Sequence, residues 1–211
     1  VGQWLSCGAF LRMGRLFFFR SGSKLGKDGS AICGNTKTRI ANALRQLMKE
    51  KPFQKITVQN LMDVTSMKRQ SFYYHFQDTR DVLMWICQQE LVAPLQDSEL
   101  EFSDWVLMML ELLDRDRPFY RRAIHAAPTE FAALFGPQAL HPRLSNLFYG
   151  IPSIRQLDSA QLFTVEFSAG GIMTCMNQFV SSRKALDRDT AARYLKCLLD
   201  TFHLTEQAQG M

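Results

Sequence analysis

Residues 69–76, Arg69-Gln70-Ser71-Phe72-Tyr73-Tyr74-His75-Phe76, combine groups that hydrogen-bond nucleobase edges with two plain aromatic anchors. Arginine donates two bonds to guanine O6 and N7, and glutamine pairs with adenine N6 and N7, each worth about 1–3 kcal/mol of discrimination. Ser71, Tyr73, Tyr74, His75 and the preceding Lys68 carry groups that bond phosphates or thymine and adenine edges. The chemistry these residue types point to is recognition of double-stranded DNA. On a helix Phe72 and Phe76 share one face, and an amphipathic helix with paired aromatics usually means core, which suffices for these two. Tyr73, Tyr74 and His75 follow one another at about 100° per residue, so one buried face cannot take all three.

Such residues read DNA only when a helix carries them into the major groove and a second helix braces it. Ile40, Ala43, Leu44 and Leu47 recur at i, i+3, i+4, i+7, which predicts a helix ending near Lys51-Pro52. Val58, Leu61 and Met62 predict a short second helix with Thr57 as N-cap. Thr65-Ser66-Met67-Lys68 is a turn-length break before the third helix, whose stripe is Phe72 and Phe76. Together these make a trihelical module with a helix-turn-helix over residues 57–76.

Helical periodicity continues to the end. Asp78 caps a predicted fourth helix running through Val82, Leu83 and Ile86 to about Leu95, and Phe102, Trp105, Val106, Met109 and Leu113 mark a fifth. Pro118 and Pro128 suit the first turns of two more. Leu162, Val165, Ala169, Ile172, Met173, Met176 and Phe179 line one late helix, and Ala191, Tyr194, Leu195, Leu198 and Phe202 line another. No useful β-alternation or repeat occurs, so the fold class is all-α.

Charge divides the chain in the same way. The net +5 resolves into +4 over residues 1–35, +6 over 36–80 and −5 over 81–211. A basic block followed by an acidic one directs a polyanion, nucleic acid before an anionic membrane, to the first part only. Residues 1–35 read as a poorly ordered basic extension whose arginines interrupt any signal-type apolar run. Residues 36–80 form the DNA-binding domain and 81–211 a helical regulatory and dimerisation domain. The five cysteines are odd in number, widely spaced and lack a C-x-x-C pair, which favours reduced thiols in a cytoplasmic protein over a disulfide frame or a zinc site. The longest uncharged run, residues 167–182, is 16 residues, short of the roughly 20 that span a membrane.

Enzyme chemistry finds no foothold. Residues 22–28, Gly-Ser-Lys-Leu-Gly-Lys-Asp, are one residue short of a phosphate-binding loop and end in Asp28 where a magnesium-holding Ser or Thr is needed. The four histidines are scattered and G-x-S-x-G does not occur. No metal, cofactor or catalytic residue is expected.

Phe72-Tyr73-Tyr74-His75-Phe76, followed by Gln77-Asp78, resembles the end of the recognition helix in the tetracycline-repressor (TetR) family, and the likeness extends from Ile40 to Leu83. The string from Arg69 to Asp78 resembles the subgroup containing the activator of dihydroxyacetone kinase operons. The resemblance implies base or phosphate contacts for Arg69, Gln70, Tyr73 and His75, and flanking-backbone contacts for Thr57 and Gln59. Three departures stand out: Ser66 where the family has glycine, Lys68 where it has a capping Ser or Thr, and Thr79 where it has a phosphate-binding lysine, with Arg80 as substitute.

The resemblance also implies a homodimer on a roughly palindromic operator, controlled by a small-molecule effector or a protein co-regulator. Leu162, Val165, Ile172, Met176, Tyr194, Leu198 and Phe202 are the expected dimer residues, although their stripes serve equally as intramolecular core. Trp105, Met109, Phe119, His125, Phe131, Glu166 and Met176 are the expected effector-pocket residues, again with core as the alternative. Gly170-Gly171, mid-helix, points to close helix approach or a kink. The alternative to a DNA-binding regulator is a helical interaction protein that has lost specific binding.

Overall fold

The computed structural model describes residues 30–182 and, beyond them, the helical residues Thr190, Arg193, Tyr194, Lys196, Cys197 and Asp200, with side-chain surroundings from Thr36 onward. The expected extension before residue 30 and the expected interface residues Leu198 and Phe202 lie outside the described residues. All regular structure among the described residues is helical.

Helix α1 (Ser30–Glu50) buries Ile40, Ala43, Leu44 and Leu47, as the spacing predicts. It stops before Pro52, and a 3-10 turn at Phe53–Lys55 tucks Phe53 inward. Helix α2 (Val58–Thr65) opens on a reciprocal cap: the Thr57 hydroxyl accepts from the Asn60 N–H at 3.2 Å, and the Asn60 side chain accepts from the Thr57 N–H at 3.1 Å. Helix α3 (Arg69–His75) follows, then α4 (Thr79–Cys87), where the Asp78 carboxylate accepts from the Asp81 N–H at 2.8 Å. Beyond lie α5 (Ala93–Gln96), α6 (Phe102–Arg115), α7 (Arg117–Ala126), α8 (Pro128–Phe135), α9 (His141–Tyr149) and α10 (Ser159–Ser181).

Two π-turns, Gln88–Val92 and Gly136–Leu140, join α4 to α5 and α8 to α9 without a loop. In each, the residue before a proline donates its N–H five residues back: Ala93 to Gln88 ahead of Pro94, and His141 to Gly136 ahead of Pro142. Proline has no N–H, and its ring collides with the carbonyl four residues earlier. The wider turn relieves that collision, so the helix continues where a proline would otherwise end it.

One apolar core runs from Ile40 on α1 to Val180 on α10. It takes in residues for which core was one of two expectations. Val165, Ile172 and Met176 are buried inside the chain, on the side of α10 packed against α6, α7 and α9, and Leu162 is half-buried. Within the single chain this apolar stripe is core, the alternative already open for these residues, and the opposite side of α10 is exposed. Trp105, Met109, Phe119 and Phe131 are likewise packed in the core, Trp105 donating Nε1–H to the Leu95 carbonyl at 3.0 Å. Glu166 and His125 are exposed.

The trihelical module is tied to the helices after it by Arg45 on α1. Its guanidinium pairs with Glu90 in the first π-turn and Asp116 at the N-cap of α7, and lies 3.9 Å over the Phe119 ring. Burial raises the Glu90 carboxyl above its ordinary range against the pull of Arg45. Nearby, burial pushes the Cys87 thiol up to about 12, which keeps it neutral and unreactive.

Candidate nucleic-acid interface

Helix α3 is seven residues long, and its orientation is set by two rings. Phe72 is fully buried and Phe76 is 3% exposed, their centroids 6.0 Å apart, and Phe76 meets Trp85 of α4 edge-on at 5.9 Å. Lys37 of α1 lies over both Phe76 and Trp85, at 5.5 and 6.0 Å. With that face fixed, helical geometry turns the others outward: Tyr73 is 53% and Tyr74 81% exposed, Arg69 and Gln70 are exposed, and Ser71 and His75 are half-buried. The rings support each other, Tyr73 edge-on to Phe72 and Tyr74 edge-on to His75 at 4.9 Å.

The turn feeding α3 carries the two oddities seen in the sequence. Ser66, at the C-cap of α2, has φ 54° and ψ 34°, the left-handed conformation that favours glycine. Arg39 on α1 braces this corner, donating to the Thr65 carbonyl at 2.9 Å. Left-handed backbone costs an L-residue about 1–2 kcal/mol, partly offset because glycine loses about 0.4–1 kcal/mol more chain entropy. Ser66→Gly is therefore expected to stabilise the chain by about 0.5–1 kcal/mol, read by denaturant melts at neutral pH. An unchanged midpoint would mean that the serine side chain offsets the strain.

Lys68 occupies the N-cap of α3 and makes no side-chain cap. An ammonium cannot accept from the first-turn N–H groups, and its charge opposes the positive helix end. Those N–H groups and the exposed Lys68 together form a cationic spot at the entry to α3. Thr57 and Gln59 are also exposed: the Thr57 oxygen accepts the capping bond, leaving its own O–H to donate, and Gln59 donates to Asp63 at 2.8 Å. Arg80 is paired with Glu130 of α8 at 3.3 Å while 60% exposed, so it substitutes for a family lysine only by leaving that carboxylate.

Among the described residues no group of three or more His, Cys, Asp or Glu side chains has the arrangement of a metal site. No helix among them is long and apolar enough to cross a membrane.

Sequence reasoning missed the outward side of α10. Phe163 and Phe167 are 68% and 74% exposed, with rings stacked at 6.2 Å and 23°. Gly170 and Gly171 follow on the same side, with nothing within 4 Å of where a Cβ would stand, and then comes exposed Thr174. The available signal was a second apolar spacing, 163 to 167, hidden by the longer stripe of core residues. Among the described residues nothing closes on these glycines, and α10 runs through them without a break.

No protein-family model matches the chain. It is 29% identical over 90 residues to the HTH-type dhaKLM operon transcriptional activator DhaS of Lactococcus lactis subsp. lactis strain IL1403. That stretch takes in 41% of this chain and 48% of the relative, so the match spans about half of the relative's length. Among solved structures, the dihydroxyacetone kinase operon activator DhaS superposes with a TM-score of 0.57 at 20% identity, over 80% of this chain and 97% of that one. A TetR transcriptional regulator from Streptococcus agalactiae 2603V gives a TM-score of 0.57 at 18% identity, over 80% and 96%. The chain thus shares the all-helical fold of TetR-type regulators, and the likeness first drawn from its aromatic recognition-helix motif recurs in a curated relative.

Proposed function

We propose that this chain is a sequence-specific DNA-binding transcriptional regulator of the TetR type. The observation that carries the reading is the division of α3: Phe72 and Phe76 anchor it, while Arg69, Gln70, Tyr73 and Tyr74 stand outside in a block of net charge +6. Arg69 and Gln70 read bases, Ser71, Tyr73, Tyr74 and His75 make mixed contacts, and Lys68, Thr57 and Gln59 hold phosphates. Residues 36–80 do the reading, and 81–211 receive the signal and dimerise.

The dimer forms through the outward side of α10. Two stacked phenylalanines followed by Gly170, Gly171 and Thr174 give an apolar patch and then a strip where a second helix can approach closely. Tyr194, 42% exposed, lies edge-on to Phe179 at 6.2 Å, against the core-facing stripe of α10 and not on that outward side. A twofold pair presents two recognition helices to half-sites about one helical turn, roughly 34 Å, apart on a palindromic operator.

The input is a small-molecule effector or a protein co-regulator. For a small molecule to reach Trp105, Met109, Phe119, Phe131 or Met176, helices α6, α7, α8 and α10 must part, because all five side chains are buried. A protein partner needs no such opening.

Selection of genomic fragments by the full chain at a fixed salt concentration tests the reading. Enrichment of a palindromic site well above bulk DNA is expected. Recovery of bulk DNA alone would favour an interaction protein that keeps the fold without the specificity.

A further inference from the structure

Positive charge gathers at a second place. An open cleft of about 400 Å³ lies between the end of α1, the 3-10 turn after it and α7. Met48, Phe53 and Ala126 line it together with Lys49, Lys51, Arg121 and Arg122, and Glu50 is the one acidic residue in the lining. Among the described residues none of the four cations is ion-paired: Lys51 donates to the Asn60 amide oxygen at 2.7 Å and Arg122 to the Met48 carbonyl at 2.6 Å. Arg122 thereby answers the negative end of α1, whose last carbonyls carry about half an elementary charge. After Glu50 is set against one cation and that helix end against part of another, between two and three positive charges remain. A concave wall concentrates the field of such charges toward its opening.

We propose that this cleft is a binding site for a small phosphate-bearing anion carrying two or more charges, separate from the DNA-reading face. The volume suits a compact metabolite, within the range of about 300–1,000 Å³ typical of ligand sites. Arg121 supplies a planar fork for phosphate oxygens, and Lys49 and Lys51 supply point charges on the opposite wall. His125 stands at the rim, with Nε2 3.2 Å from Asn177 Oδ1 and 3.4 Å from Ser181 Oγ, and so links the cleft to α10. An occupant touches α1 of the trihelical module and α7 of the helical body at once. The cleft belongs to none of the residues assigned to base reading or to the dimer, and its occupancy does not depend on the regulator reading.

The test is calorimetric titration of the full chain with inorganic pyrophosphate at constant ionic strength, beside sulfate. Saturable binding of pyrophosphate is expected, weakened at least about tenfold in the double variant Lys49→Ala/Arg121→Ala and unchanged in Arg69→Ala. Lys49→Glu, a change on an exposed side chain, is a second variant with the same expected loss should the double variant fold poorly. Absence of saturable pyrophosphate binding, equal binding by the variants, or loss in Arg69→Ala would overturn the proposal. So would weaker DNA binding with a smaller salt slope in the double variant without pyrophosphate, because the cleft would then hold a backbone phosphate.

Discussion

Arg69→Ala is expected to lower affinity for the selected operator by about 5- to 150-fold while changing affinity for random DNA little, because a bidentate base contact is worth about 1–3 kcal/mol. Arg69 is exposed at the first position of α3, where a helix entering the major groove presents its side chains to base edges. Lys68→Ala should behave differently, weakening operator and random DNA alike and reducing the slope of log affinity against log salt by about 0.9. Electrophoretic or fluorescence titrations on both DNAs over a salt series separate the two. Equal losses on both DNAs for Arg69→Ala would remove it from the list of base readers.

The second large effect concerns α10. Phe163→Glu/Phe167→Glu is expected to raise the dissociation constant of the proposed dimer at least about a hundredfold. Each fully buried phenylalanine contributes about 1.5–3 kcal/mol, and in a twofold dimer every substitution acts twice. The helix itself should keep its stability, since both side chains are largely exposed in the single chain. Gly170→Ala/Gly171→Ala makes a complementary case with opposite signs: alanine stabilises an exposed helix interior by about 1 kcal/mol per glycine, yet each added methyl obstructs close approach of a second helix. Sedimentation over a concentration series would detect both. A dimer unaffected by the charged pair would move the interface elsewhere, and one indifferent to the alanines would deny close approach at the glycines.

Legibility in the sequence followed the range of each interaction. Caps depend on residues three apart, and Thr57 and Asp78 were both readable as N-caps. The division of α3 was readable because two phenylalanines four apart settle which way the rest must point. The two faces of α10 were not separable, since spacing tells which residues share a side without saying whether that side meets this chain or another. Val165, Ile172 and Met176 looked as suited to a partner as to the core until α6, α7 and α9 were seen against them. The cleft was harder still: Lys49 and Arg121 stand 72 positions apart, and only the packing of α7 against the turn after α1 brings them together. The π-turns were invisible for another reason, since the prolines that would end a helix are tolerated by a wider turn.

The brevity of α3 bears on what binding involves. Two turns without an N-cap side chain fall well below the roughly 12–15 residues that a helix needs to hold together alone in water. Its order is therefore lent to it by Phe72 and Phe76, and its amides are expected to exchange with solvent before those of the longer helices. The Ser71 N–H already donates to the Lys68 carbonyl at 2.9 Å, and in the proposed complex a backbone phosphate beside Lys68 would supply the remaining first-turn N–H groups with the acceptor that the lysine cannot. DNA on this reading completes its own reader, and part of the binding free energy is spent on ordering the helix that does the recognising.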